Sequence, residues 1–136
     1  MSKLLACTLF ATLAATLIVG NVARTAEKSE PQLAHMVFFA LKDHSPESRK
    51  AFAASCEKYL KDIEGSVYFS VGIIAEDVEE PVSVKDWDVA LHVVFRDKET
   101  KAKYLEHPQH KEFVEANRAQ FAKVRVFDSY LVPGKP

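Results

Sequence analysis

The feature that most constrains this sequence is a predicted strand that is apolar on both faces. Residues 34–41 read AHMVFFAL, and side chains in a strand alternate between the two faces of its sheet. Valine, phenylalanine and leucine therefore lie on one face, while methionine and a second phenylalanine lie on the other. Residues 87–95 (WDVALHVVF) are also apolar on both faces. Such strands must be buried on each side, so they belong in a sheet that is covered on both faces.

Helix and strand signals alternate along the rest of residues 33–132. Ser45-Pro46 predicts a helix start, with Ser45 as the N-cap, and Gly65 predicts the end of that helix. The other predicted elements are strands at 67–74 and 124–131, a loop at 75–86, and helices at 97–106 and from 108 onward. The order is β-α-β-β-α-α-β, the ferredoxin-like arrangement with its second helix broken in two. We expect an α+β fold with a four-stranded, largely antiparallel sheet.

The helices of this arrangement can cover only one face of the sheet, which has a consequence for assembly. A single chain would leave the apolar second face in water, and an apolar surface of that extent usually marks an interface. The simplest solution is a homodimer in which two sheets face each other across a twofold axis. The alternative is a partner of another kind, or a ligand large enough to fill the open face.

Residues 1–26 have the layout of a secretory signal peptide. A lysine is followed by an uncharged stretch at 4–19 and then by small residues up to Ala26. We expect cleavage after Ala23 or Ala26, which predicts a periplasmic or extracellular protein. A retained leader would instead tether the domain to the membrane, and the stretch is near the short limit of the roughly 17–25 residues that span a bilayer.

The remaining chain divides into a polar linker at 27–32, a domain at 33–132 and a short tail at 133–136. The formal net charge is -1, with lysines and glutamates interspersed, so we do not expect a nucleic-acid partner, which would need a basic face. Cys56 would stand alone in the mature chain and lies on the apolar stripe of the first helix. We expect a buried, inert thiol there.

Four segments of the domain resemble the stress-responsive dimeric α/β-barrel family: LAHMVFFAL, FSVGI, FRDKETKAKYLEHPQHKEF and VRVFDSYL. The most specific element is the spacing Tyr104-x-x-His107-Pro108-x-His110. The resemblance covers nearly the whole mature chain. It implies that family's fold, in which the sheets of two subunits form a shared barrel. It bears less on activity, because one fold hosts many functions.

His35, His110 and Tyr104 are the candidate catalytic residues. An imidazole among apolar neighbours or near the start of a helix tends to be neutral and can act as a base, while a phenol can polarise a carbonyl. The polyketide-cyclising branch of the family is similar at these three positions, which implies acid/base chemistry. That branch has a further tyrosine that falls at about Glu57 here, so the resemblance does not extend to its complete set.

Val37, Phe39, His107 and Phe113 are the candidate ligand-binding residues, since they share faces with the two histidines or flank them. A structural role is the alternative for the histidines, and His107 in particular would cap backbone groups at the helix break. Asp128 would need a partner among its apolar neighbours, either Arg125 or a histidine, or it would make a hydrogen bond at the end of the sheet. Histidine and aspartate are also metal-ligand types, but no spacing supplies the three or four converging ligands of a zinc site, so we expect no metal and no cofactor.

These observations leave three functions open. The first is an exported dimeric module that binds a small apolar or aromatic molecule in its barrel. The second is a cofactor-independent enzyme of the cyclase or lyase type, with His35 and His110 as acid and base. The third is a purely structural dimer. The enzyme needs both histidines and Tyr104 directed into one apolar cavity, the binding module needs only the cavity, and the structural dimer needs neither.

Overall fold

A computed structural model describes residues 30–132, so the predicted signal peptide, residues 27–29 of the linker and the tail lie outside the described residues. The elements in chain order are β1 (Leu33–Leu41), α1 (Pro46–Leu60), β2 (Ser66–Ile73), β3 (Val89–Phe95), α2 (Lys98–Glu106), α3 (Pro108–Asn117) and β4 (Phe121–Tyr130). The strands form one antiparallel sheet in the order β2-β3-β1-β4. The predicted α+β, ferredoxin-like fold is confirmed. No helix within this part of the chain is long and apolar enough to cross a membrane.

The strands that are apolar on both faces lie at the centre of the sheet. β1 pairs with β3 on one side and with β4 on the other. The helix-covered face buries alternate residues of the two central strands: Val37, Phe39, Leu41, Val89, Leu91, Val93 and Phe95. Phe39 contacts Phe52 of α1 and Phe113 of α3, with ring centroids 4.9 and 6.3 Å apart. The core therefore lies between one face of the sheet and the helices.

The first helix begins as predicted but ends earlier. The Ser45 hydroxyl accepts a backbone N–H of the first turn at 3.2 Å, while the helix stops at Leu60 instead of reaching Gly65. Ile63 donates its N–H to the Leu60 carbonyl, which closes a tighter turn than a helix makes and still buries the Ile63 side chain. Gly65 follows with a φ of 101°, and a Cβ there would lie 2.1 Å from Thr100 Cγ2. Gly65 therefore allows this turn to approach α2 closely and does not cap α1.

One buried carboxylate holds together the end of the sheet where β3 begins. Asp88 is 1% exposed and accepts hydrogen bonds from Leu41 N at 2.7 Å, from Arg49 Nε at 2.8 Å and from His44 Nδ1 at 2.9 Å. Arg49 also binds Glu76, which follows β2. Burial raises the pKa of Asp88, but these hydrogen bonds outweigh burial and hold the pKa below its usual range. Asp88 thus joins β1, α1 and the connection that precedes the helix.

Two strand boundaries differ from the prediction. β3 starts at Val89 and not at residue 87, where the Trp87 indole N–H donates to the Val84 carbonyl. β4 starts at Phe121 instead of residue 124, and a register shift opposite the end of β1 lets its first residues pair. Pairing with a neighbouring strand decides such ends, so a local pattern does not resolve them.

Cys56 lies on the inner face of α1 and is 0% exposed. Burial raises the pKa of its thiol to about 12, so the thiolate is not formed at neutral pH. This environment suits the inert packing role that the sequence predicts.

The sheet face opposite the helices is open in the single chain. Phe127 of β4 is 49% exposed on this face and Tyr68 of β2 is 56% exposed. Phe38 lies between Trp87 and Phe127, with ring centroids 5.1 and 5.7 Å away. The three rings form an apolar row across the sheet, which a second layer would have to cover.

Candidate functional site

His35 lies on β1 and faces the helix-covered side of the sheet, where it is 6% exposed. The register of β1 and β4 places Asp128 directly opposite, and His35 Nδ1 lies 2.7 Å from Asp128 Oδ1. The other carboxylate oxygen accepts a hydrogen bond from Lys101 Nζ of α2 at 2.5 Å. Because a carboxylate only accepts hydrogen bonds, His35 donates from Nδ1. Its Nε2 is then the free lone pair of the neutral ring.

Burial is the main reason that the His35 imidazole is neutral. Burial lowers the pKa of His35, the hydrogen bond with Asp128 opposes this effect, and the positive charge of Lys101 adds to it, so that the pKa lies below its ordinary value. Burial raises the pKa of Asp128, but hydrogen bonds from Lys101 and His35 bring it below its usual range. At neutral pH the site therefore holds a neutral imidazole oriented by a carboxylate, which is the arrangement of a general base.

The three predicted catalytic residues belong to one chain of rings. The His35 ring centroid lies 6.1 Å from that of Phe95, and Phe95 lies 4.9 Å from Tyr104. Tyr104 in turn lies 5.0 Å from His110. The structure therefore brings His35, Tyr104 and His110 together, with Phe95 between the first two.

Tyr104 carries an unsatisfied polar group inside this cluster. The residue is 1% exposed, and its hydroxyl has no hydrogen-bond partner among the described residues. Burial raises the pKa of Tyr104, so the hydroxyl stays protonated. A buried hydroxyl without a partner costs about 1–3 kcal/mol, and most proteins avoid this cost. This hydroxyl is therefore a donor and acceptor without a partner, on a side chain whose ring lies 5.0 Å from that of His110.

His110 lies in the first turn of α3, as the sequence predicts. Burial lowers the pKa of His110, the charge of His35 lowers it further, and the Leu105 backbone opposes the shift. The direction agrees with the expectation of a neutral imidazole. Burial and His35 lower the pKa of His110, whereas the sequence pattern predicted that the start of the helix would lower it.

The predicted ligand-binding residues occupy two different places. His107 lies between α2 and α3, where its Nδ1 accepts the N–H of Gln109 at 3.2 Å, so it caps the N-terminus of α3. It also lines a cavity of about 350 Å³ together with Tyr104. Val37, Phe39 and Phe113 are 5%, 4% and 3% exposed and pack in the hydrophobic core. Whether these residues contact a ligand stays a prediction.

The sequence did not point to Lys101, whereas a histidine, one of the two partners that it offered for Asp128, does bind this carboxylate. Lys101 lies three residues before Tyr104 on α2, so helical spacing places both on one side of that helix. Arg125, which the sequence also offered as a partner, lies on the other face of β4 and binds Asp86. Within residues 30–132, no group of three or more histidines, cysteines or carboxylates is placed to hold a metal ion.

The family model described as the stress-responsive A/B barrel domain (Dabb) matches residues 33–131 of this chain. The comparison with curated proteins gives no match. The family match agrees with the resemblance in the four sequence segments.

Solved structures share the fold at low sequence identity. A Dabb family protein with a ferredoxin-like fold from Mesorhizobium loti is 24% identical, with 76% of this chain and 100% of that chain covered and a TM-score of 0.64. A dimeric ferredoxin-like protein of unknown function from Thermobifida fusca is 14% identical, with coverage of 75% and 92% and a TM-score of 0.62. A hydroxynitrile lyase from Passiflora edulis is 15% identical, with coverage of 79% and 99% and a TM-score of 0.62. At these identities the likeness shows the fold alone.

The charges beside His35 predict opposite effects for two substitutions. Asp128→Asn removes the charge and weakens the hydrogen bond that favour the imidazolium, so the pKa of His35 falls further. Lys101→Met removes a positive charge, so the pKa of His35 rises. NMR titration of the His35 ring resonances measures both shifts. Lys103→Met is the control, because Lys103 binds Glu99 on the exposed side of α2. Shifts of the same sign in the first two variants would contradict this account of the site.

Proposed function

The chain belongs to the stress-responsive A/B barrel domain family, and we propose that it is an exported homodimer that binds a small, largely apolar molecule beside Tyr104. The signal-peptide pattern of residues 1–26 supports export to the periplasm or the cell exterior. If the leader is retained, the domain is tethered to the membrane. The observation that carries the binding proposal is the buried, unpaired hydroxyl of Tyr104.

The proposed dimer uses the open face of the sheet. Phe38, Trp87 and Phe127 form an apolar row there, and Phe127 is half exposed in the single chain. Two such faces packed across a twofold axis would remove this surface from water. Fold relatives from Thermobifida fusca and Bacteroides fragilis are described as dimeric, which supports the same assembly.

Phe127→Glu should convert the dimer into a monomer, because it places a charge in the apolar row that the dimer would bury. Sedimentation velocity at micromolar concentration measures the state of each protein. Val114→Glu is the matched control, since Val114 is 39% exposed on α3, away from the sheet. Wild-type protein that sediments as a monomer would rule out the proposed assembly.

The binding proposal follows from the surroundings of the Tyr104 hydroxyl. Phe95 and His110 contact the Tyr104 ring, so the environment suits an aromatic or aliphatic body. The unpaired hydroxyl suits one oxygen atom on the same molecule. The cavity that Tyr104 lines has a volume of about 350 Å³, which lies in the range of small-molecule sites.

Tyr104→Phe should increase the stability of the domain and weaken ligand binding. Removal of an unpaired buried hydroxyl should raise the free energy of unfolding by about 1 kcal/mol. The same change should weaken binding of 4-phenylbutan-2-one, a small aromatic ketone, by about fivefold, because a hydrogen bond to the ketone is lost. Urea unfolding and calorimetric titration measure the two effects.

Tyr59→Phe is the control for this pair of measurements, because the Tyr59 hydroxyl has only a long, exposed contact with Lys58 at 3.5 Å. A loss of stability in Tyr104→Phe would mean that the hydroxyl is satisfied in solution. Unchanged ketone affinity in that variant would mean that the Tyr104 hydroxyl does not bind the ketone.

Cofactor-independent acid/base catalysis is the second candidate function, and the hydrogen bond between His35 and Asp128 favours it. In such a reaction His35 Nε2 takes a proton from the carbon next to a carbonyl group. The electron pair moves to the carbonyl oxygen, where the Tyr104 hydroxyl and an N–H of the neutral His110 ring would donate hydrogen bonds to the enolate, and the proton held by His35 returns to carbon or exchanges with solvent. A hydroxynitrile lyase shares this fold, so the fold is compatible with enzymatic chemistry.

His35→Gln should slow the exchange of the α protons of 4-phenylbutan-2-one with deuterium oxide by about 100-fold or more relative to wild type. Proton NMR follows the exchange, and Asp128→Asn should show an intermediate loss because it leaves the base in place but not oriented. His44→Gln is the control, since His44 binds Asp88 at another part of the sheet. Exchange no faster with wild type than in buffer would reject the enzymatic candidate and leave the binding proposal standing.

A further inference from the structure

A cavity of about 350 Å³ lies between α2 and the turn that precedes β2. Its lining residues are Ile63, Glu64, Gly65, Arg96, Thr100, Lys103, Tyr104 and His107. The turn comes close to α2 because Gly65 adopts a φ of 101° and carries no side chain toward Thr100. The cavity is therefore shaped by the backbone as well as by side chains.

The most buried residues that line this cavity are Ile63 and Tyr104, which are 2% and 1% exposed. The Tyr104 hydroxyl has no hydrogen-bond partner among the described residues. An aromatic or aliphatic body fits against these two side chains. The proposed ligand site at Tyr104 and this cavity are thus continuous through one residue.

The outer part of the cavity offers more donors than acceptors. His107 accepts a backbone N–H at Nδ1, so the neutral ring carries its proton at Nε2 and can donate it. Lys103 binds Glu99, while Arg96 makes no ion pair with any residue in the described part of the chain. Glu64 is the one carboxylate among the lining residues.

The remaining polar groups near the rim are already occupied. The Thr100 hydroxyl donates to Asp97, which caps α2. Hydrogen bonds from Thr100 lower the pKa of Asp97, and the charges of Arg96 and Lys103 contribute to the same shift. Among the cations that line the cavity, Arg96 therefore has guanidinium N–H groups that are not used in an ion pair. A planar guanidinium pairs best with a carboxylate.

We propose that this cavity selects small apolar molecules that carry a carboxylate, with the carboxylate at Arg96 and His107 and the apolar body against Ile63 and Tyr104. The inference rests on the proposed binding function and names its ligand class. A phenylpropanoate-sized acid fits within the cavity volume of about 350 Å³ and has one apolar and one charged end.

The test compares two ligands of nearly equal shape. In 3-phenylpropanoate the carboxylate replaces the acetyl group of 4-phenylbutan-2-one, so the pair differs mainly in charge. Calorimetric titration of the mature dimer at low salt should show the acid binding about fivefold tighter than the ketone. The preference should shrink when sodium chloride is added, because salt screens an exposed guanidinium.

Arg96→Gln should abolish the preference for the acid and leave ketone binding unchanged. Arg118→Gln is the matched control, because Arg118 is an exposed arginine that binds Glu115 outside the cavity. Equal or tighter binding of the ketone by wild-type protein would overturn the inference and leave the proposed function intact. An acid preference that survives Arg96→Gln would overturn the assignment to this cavity. Absence of binding by either ligand would contradict the proposed function as well as the inference.

Discussion

The fold depends on a sheet whose two central strands are apolar on both faces while its helices cover only one of them. The covered face becomes the aromatic core around Phe39, Phe52 and Phe113. The other face keeps Phe38 and Phe127 near the surface of the single chain. Core and proposed interface are therefore opposite sides of the same strands, and alternation along β1 distributes residues between them.

The candidate site lies where this core meets the edge of the sheet. β1 is central and carries His35 into an almost buried position, whereas β4 is an edge strand and leaves the Asp128 side chain 38% exposed. Burial keeps the imidazole neutral, and the accessible carboxylate orients it.

Two aspartates with lowered pKa values have different environments in this domain. Asp88 is 1% exposed, and its oxygens accept hydrogen bonds from a backbone N–H, an arginine and a histidine, all of which connect structural elements. Asp128 instead binds His35 and Lys101, and Phe95 lies between His35 and the ring of Tyr104. A lowered pKa alone does not distinguish these roles. The Tyr104 hydroxyl, which has no partner among the described residues, and the free Nε2 of His35 set the second site apart.

The sequence alone determined the order of helices and strands, the apolar character of both faces of β1 and β3, the burial of Cys56, and His35, Tyr104 and His110 as candidate catalytic residues. These properties depend on periodicity and on residues close together in the chain. Helix and strand ends were less well defined, because the close approach of Gly65 to Thr100 and the pairing of Phe121 with Leu41 depend on residues far apart in the chain. Only the tertiary structure decided that Asp128 holds His35, from 93 residues away, and that Lys101 holds Asp128. Only the tertiary structure shows that the Tyr104 hydroxyl has no partner among the described residues. The register between β1 and β4 brings Asp128 to His35, and the packing of α2 brings Lys101 to Asp128. No spacing in the sequence encodes the strand register or the helix packing.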